Sequence, residues 1–169
     1  PPPYSRNSKV SPQVSPPKQP SIQSQRAWAE LGPVIGFTAF YLCAATLFAY
    51  WRGNTEFVFY IVVMLILIGV VAEIHRRIRL SRGVIWCLSV WGALHMAGGL
   101  LALPESWPRS GEINVLYNLW LIPEILKYDQ AVHAFGFAAT TWLCWQSLQS
   151  IAGVTNTPLR PSLGALLLC

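Results

Sequence analysis

Three side chains that could do acid–base or metal chemistry lie in otherwise apolar parts of the sequence. The segment YDQAVHAFGF begins at Tyr128 and places Asp129 four residues before His133, while His95 lies in the apolar run ALHMAGGLLAL. Residues four apart share one face of a helix, so Asp129 and His133 are expected to be neighbours. Ionisable side chains within membrane helices are costly and invite a functional hypothesis. We therefore treat His95, Asp129 and His133 as candidate site residues.

The histidines allow four interpretations, which the sequence leaves open. The structural one is a neutral imidazole bonded to a neighbouring helix or to water, with Asp129 stabilising the start of its own helix through the helix dipole. The second is a metal site, because two imidazoles and a carboxylate suit zinc, iron or manganese and Asp129 could orient His133. The third is a proton or ion pathway.

In the fourth interpretation, His95 and His133 are axial ligands of a haem or a chlorophyll-type pigment. Small residues beside each imidazole would leave room for a flat ring, although such residues more often allow helices to pack closely. These small residues are Ala97, Gly98, Gly99, Ala134 and Gly136.

The composition indicates a membrane protein. Of 169 residues, 53% are hydrophobic and only 11% are charged, whereas an ordinary soluble domain has about 25% charged residues. A helix that crosses a bilayer needs about 20 mostly apolar residues, and several uncharged runs approach that length. The predicted fold class is all-α, an integral membrane helical bundle with four transmembrane helices and the start of a fifth.

The predicted spans cover residues 33–51, 57–72, 84–103 and 129–148, and a fifth would begin at Leu163. In the third span His95 would lie about 12 Å from the end at Leu103, at a rise of 1.5 Å per residue. Residues 104–128 are too short and too interrupted by Pro123 to cross the membrane, so we predict an interfacial helix between the third and fourth spans. Residues 27–169 together form the predicted transmembrane domain.

Residues 1–26 form a Pro/Ser-rich segment that cannot bury enough apolar surface to fold alone. If it is ordered, a partner subunit is the first candidate for what holds it. With this tail inside, nine of the twelve Lys and Arg residues lie on the cytoplasmic side and three lie on the other. The positive-inside rule therefore predicts a multi-pass protein of the bacterial inner membrane with a cytoplasmic N-terminus and a periplasmic-side cluster of His95, Asp129 and His133.

The charge run EIHRRIRLSR follows the second predicted span. We predict that Glu73 pairs with Arg76 or Arg77 and that the basic residues anchor the helix near anionic headgroups. Because the basic residues lie beside apolar spans rather than along one soluble face, no nucleic-acid partner is expected.

The motif LHMAGG, followed by a loop containing LP and then YDQAVHAFGF, resembles the YjdF-like family of small bacterial inner-membrane proteins. In that family a histidine near a GG pair precedes a Tyr-Asp-x-x-x-His-x-x-G segment. The resemblance covers about residues 84–150 and implies a multi-span helical bundle whose biochemical function is not established. Family members carry a further acidic motif, YELxEW, in a span after the fourth, and this sequence does not contain it. The matching positions are His95, Gly98, Gly99, Tyr128, Asp129, His133 and Gly136.

The sequence contains no nucleotide-binding, serine-hydrolase or paired-carboxylate motif. The preferred prediction is a noncatalytic accessory or scaffolding subunit of a larger membrane complex, which contacts lipids and other subunits, the latter partly through its N-terminal tail. An energy-converting complex, photosynthetic or respiratory, is one host compatible with this prediction. The alternative is a membrane-embedded metal-dependent enzyme or transporter that uses His95, Asp129 and His133.

Overall fold

The computed structural model describes residues 30–53 and 55–151, which form four helices and one small hairpin. The predicted tail at residues 1–26 and the predicted fifth span from Leu163 lie outside the described residues. The elements in chain order are α1 (Gly32–Trp51), α2 (Thr55–Ile78), α3 (Arg82–Leu100), a 3-10 turn (Leu116–Asn118), β1 (Trp120–Ile122), β2 (Leu126–Lys127) and α4 (Tyr128–Ile151).

Three of the described helices are long and apolar enough to cross a membrane, namely α1, α3 and residues Phe57–Ile78 of α2. The fourth helix, α4, has 24 residues but is not among them. Polar side chains such as Asp129, His133 and Gln146 lower its hydropathy. The predicted helical bundle is therefore present, while four spans and the start of a fifth are not confirmed.

Specific residues set the ends of the helices. Pro33 lies in the first turn of α1, where the missing N–H of proline costs nothing. Gly53 has φ +64° in the turn between α1 and α2, a conformation that glycine adopts without steric penalty. Arg79, with φ +53°, directly follows α2. Ser81 caps α3, because its side chain accepts a hydrogen bond from the backbone N–H of Val84.

The second helix continues past the predicted end at residue 72 to Ile78. Its last turns are held by Glu73, which accepts hydrogen bonds from Arg76 Nε at 2.8 Å and Arg77 Nε at 2.7 Å. The predicted pairing of Glu73 with these arginines is confirmed. Pairs at i,i+3 and i,i+4 support a helix, so the charge run belongs to the helix rather than to a loop.

The two ends of the bundle are named after the residues that lie there. The loop end carries residues 101–127, and the arginine end carries Arg76, Arg77, Arg79 and Arg82. Helices α3 and α4 run antiparallel, and at the arginine end Ser81 N donates to Gln146 Oε1 at 2.9 Å. Gln146 Nε2 in turn donates to Ser81 Oγ at 2.7 Å. These two reciprocal bonds fasten the start of α3 to the later half of α4.

The core lies where α1, α2 and α3 meet. Thr38 of α1 and the buried Ser89 of α3 are joined by a 2.6 Å hydrogen bond, the kind of polar contact that holds helices together in an apolar environment. The described part of α2 buries only Phe57 and Met64, so most of its apolar length faces outward. The buried cluster comprises Ala45, Ala49, Phe57, Met64, Met96 and Leu100.

The predicted interfacial helix is wrong for the described loop. Residues 101–127 form the 3-10 turn and an antiparallel hairpin in which Trp120 pairs with Lys127 and Ile122 with Leu126. Pro123 falls at the hairpin turn, next to Glu124 with φ +59°, and proline inside a helix would remove a hydrogen bond and clash. Backbone bonds across the loop take the place of helical ones.

Candidate functional site

The loop end of the bundle brings His95, Asp129 and His133 together. His95 projects from the last turns of α3 and His133 from the second turn of α4, and their ring centroids are 5.9 Å apart in an edge-to-face arrangement. His133 Nε2 lies 3.2 Å from Asp129 Oδ1, within ion-pair distance. Two helices therefore place two imidazoles and a carboxylate side by side.

The cluster is shallower than the predicted depth of His95. Helix α3 ends at Leu100 rather than at 103, so His95 lies five residues, or about 7.5 Å, from the end of its helix. The side chains of His133 and Asp129 are 48% and 42% exposed. The site therefore opens at the end of the bundle and is not enclosed in its core.

Two tyrosines tie this end of α3 to its surroundings. Tyr117, in the 3-10 turn, donates a 2.7 Å hydrogen bond to the carbonyl of His95. Tyr128, the first residue of α4, donates a 3.0 Å hydrogen bond to the carbonyl of Leu94. Burial raises the pKa of the Tyr117 phenol, and the Asp129 carboxylate raises that pKa further. The phenol therefore stays protonated and remains a donor.

The His95 imidazole is surrounded by aromatic rings. Its centroid lies 5.8 Å from that of Trp91, one helical turn earlier, and 5.5 Å from that of Tyr117; His133 stands on a further side. Within the described part of the chain, the buried nitrogens His95 Nδ1 and Trp91 Nε1 have no hydrogen-bond partner. An unpaired buried polar atom is costly, and such atoms in native structures call for an explanation.

The space beside the glycines near the two histidines is filled by the protein's own aromatic rings. A Cβ atom on Gly98 would lie 2.3 Å from Tyr117 Cε1, and one on Gly136 would lie 2.3 Å from Trp91 Nε1. A Cβ on Gly99 would lie 2.9 Å from Phe57 Cε2. The small residues thus serve close packing of aromatic side chains, and the room that the pigment interpretation needs beside Gly98 and Gly136 is filled.

The cluster can act chemically as a set of electron-pair donors. Two imidazole nitrogens and a carboxylate can bind a proton or a divalent transition metal. No group of three or more His, Cys, Asp or Glu residues in ranges 30–53 and 55–151 is arranged to hold a metal ion. A metal at His95, Asp129 and His133 would therefore need these side chains to rearrange, and their role as ligands stays a prediction.

Sequence reasoning missed Trp91 and Tyr117. Trp91 precedes His95 by four residues, a spacing that puts both on one helix face, so this neighbour could have been found. Nothing local marks Tyr117, because its contact with His95 spans 22 residues of sequence and depends on how the loop folds back. Tyr128 was noted only as a position matching a family motif.

Comparison with family models, curated proteins and solved structures found no match to this chain. The resemblance to the YjdF-like family consequently stays a prediction based on its motifs.

Proposed function

We propose that this protein is a membrane-embedded enzyme or transporter that works through His95, Asp129 and His133, and that the cluster binds a cation reaching it from the periplasmic side. The observation that carries the proposal is the meeting of two imidazoles and a carboxylate from two helices at an open end of the bundle. Ionisable groups placed together in this way are characteristic of ion and proton sites in membrane proteins.

The roles of the three side chains follow from their contacts. Asp129 lies 3.2 Å from His133 Nε2, so its carboxylate can accept a hydrogen bond from an N–H at that position and orient the ring. His95 presents a second imidazole at a centroid distance of 5.9 Å, and its buried, unpaired Nδ1 leaves one polar atom of the site unsatisfied. A proton is the favoured cation, because no group of three or more His, Cys, Asp or Glu side chains in the described residues is arranged to hold a metal ion.

The membrane placement is part of the proposal. Three helices of sufficient length and hydropathy support integration into a bilayer. Four arginines lie at the arginine end, whereas the loop end holds only Arg109 and Lys127, and this imbalance supports a cytoplasmic N-terminus in a bacterial inner membrane. The cluster would then face the periplasm.

The test measures how fast diethylpyrocarbonate modifies each histidine in purified full-length protein, with mass spectrometry locating the adducts. We expect the His133 rate to change at least about threefold in Asp129→Asn and His95→Ala, because each substitution removes a side chain that contacts the His133 imidazole and so alters the surroundings of its reactive nitrogen. The matched control is Glu105→Gln, which removes an exposed acid of the loop end. It should leave the His133 modification rate unchanged. His75→Ala controls for loss of a histidine elsewhere.

Two added arms distinguish the cation. If the cation is a metal, Zn²⁺ or Mn²⁺ protects His133 at constant pH, the protection disappears in Asp129→Asn, and elemental analysis finds the ion in the washed protein. If it is a proton, neither ion protects and the coupling among the three side chains persists. An unchanged His133 rate in both variants, together with no metal protection, would refute the proposed site.

A second candidate function is that of a noncatalytic accessory subunit, with an energy-converting membrane complex as one host. The observation that favours it is α2, which buries only Phe57 and Met64 among its described side chains. Its outward residues include Phe59, Leu65 and Ile66. Such a surface suits either lipid or a helix of a neighbouring subunit.

A photo-crosslinking amino acid placed at Phe59 of α2 tests this candidate in native membranes. Phe137 on α4 is the matched control, since both side chains are 67% exposed. If α2 docks a subunit, Phe59 gives one reproducible protein adduct and Phe137 gives lipid adducts, because a packed helix excludes lipid. Lipid adducts at both positions would remove the support for an accessory role.

A further inference from the structure

Tyr117 is a loop residue whose hydroxyl and ring both contact His95 in the candidate site. It lies in the 3-10 turn Leu116–Asn118, which backbone hydrogen bonds hold in place. Leu116 N donates to Leu101 O at 2.9 Å, and Leu119 N donates to Leu116 O at 3.1 Å. The loop therefore presents Tyr117 from a fixed backbone that is anchored directly after the end of α3.

Three contacts of Tyr117 converge on the same turn of α3. Its hydroxyl donates to the His95 carbonyl at 2.7 Å, and its ring stands edge-on to the His95 imidazole at 5.5 Å. The same ring fills the space over Gly98, where a Cβ atom would lie 2.3 Å from Cε1. One side chain thus restrains both the backbone and the ring of His95.

Resting on the proposed function, we infer that Tyr117 is the positioning residue of the cluster, setting the orientation of His95 relative to His133. Trp91 limits His95 on another side, with centroids 5.8 Å apart. Tyr128 fixes the adjacent Leu94 carbonyl from α4. Trp91 lies on the same helix as His95 and cannot link His95 to the loop. The loop therefore acts on the orientation of His95 through Tyr117. Active groups must be held within a fraction of an ångström of their working geometry by such supporting contacts.

The test uses Tyr117→Phe, which keeps the ring and removes the hydroxyl, and Gly98→Ala, which displaces the ring and keeps the hydroxyl. Tyr50→Phe, an 86% exposed tyrosine, is the matched control. The readouts are the nitrogen resonances of ¹⁵N-labelled histidine and the rate at which diethylpyrocarbonate modifies His95. Thermal unfolding measured in parallel confirms that each variant is folded.

We expect both Tyr117→Phe and Gly98→Ala to shift the His95 resonances and to raise the His95 modification rate at least about threefold, while Tyr50→Phe changes neither. The His75 resonances should stay unchanged in all variants. Folded variants with unchanged His95 resonances and rate would overturn the positioning role, even if the unfolding temperature falls. The measurements of the His133 rate in Asp129→Asn and His95→Ala test the proposed function separately, so failure of one inference is distinguishable from failure of the other.

Discussion

Replacing Gly136 with alanine is expected to destabilise the bundle by about 1–3 kcal/mol, the usual cost of overpacking a filled interior. The added Cβ would lie 2.3 Å from Trp91 Nε1 and 2.5 Å from Trp91 Cε2, so α3 and α4 or the indole must move. Gly136→Leu adds three more carbons at the same point and should cost more. Thermal unfolding in detergent, followed by near-ultraviolet circular dichroism, measures the loss.

Gly69→Ala on α2 is the control, because a Cβ atom there meets nothing within 4 Å. That substitution should be neutral or slightly stabilising, since alanine favours a helix over glycine by about 1 kcal/mol. A second check is Trp91→Phe combined with Gly136→Ala, which should recover part of the lost stability because the smaller ring vacates the contact. Equal unfolding temperatures for Gly136→Ala and wild type would contradict the observed packing of Trp91 on Gly136.

A cysteine at position 106 should react with a membrane-impermeant maleimide in intact cells, whereas a cysteine at position 77 should react only after permeabilisation. Ser106 is exposed at the loop end and Arg77 at the arginine end. The positive-inside rule predicts that the arginine end lies in the cytoplasm. The experiment compares Ser106→Cys with Arg77→Cys by gel shift in a background without the four native cysteines.

Arg77→Ser and Ser106→Ala in the same background control for nonspecific labelling. The reverse pattern would place His133 and Asp129 in the cytoplasm and overturn the periplasmic assignment of the cluster. Labelling of both cysteines from outside would contradict a bundle that separates the two ends across a bilayer.

Hydropathy located the four described helices well, because long apolar runs have few alternatives to a helix in an apolar environment. The ends of the helices were harder to predict from hydropathy. Helix α2 runs to Ile78 since Glu73 pairs with Arg76 and Arg77, and paired charges continue a helix where hydropathy alone would end it. The loop was misassigned because its amphipathic composition is also compatible with a hairpin, and Pro123 favours the hairpin turn.

The part of the candidate site that depends on sequence spacing was predictable. Asp129 and His133 are neighbours because four residues separate them, and antiparallel neighbours bring His95 to the same end. The aromatic surroundings were not predictable, because Tyr117 reaches His95 through the tertiary fold of the loop. The glycines gave an ambiguous signal, since the same small residues suit either a flat cofactor or a neighbouring ring.

Helices α3 and α4 are joined by hydrogen bonds at both ends of the bundle, which distinguishes movements that keep these bonds from movements that break them. Ser81 and Gln146 join α3 to α4 at one extremity, and Tyr128 joins them at the other. Helix α2, by contrast, is flanked by the left-handed backbone at Gly53 and Arg79. Segment-terminal residues of this kind absorb hinge rotation. A tilt of α2 as a rigid rod about these two residues would disturb its packing on α3, where Phe57 lies over Gly99, but it would break none of the hydrogen bonds that join α3 to α4.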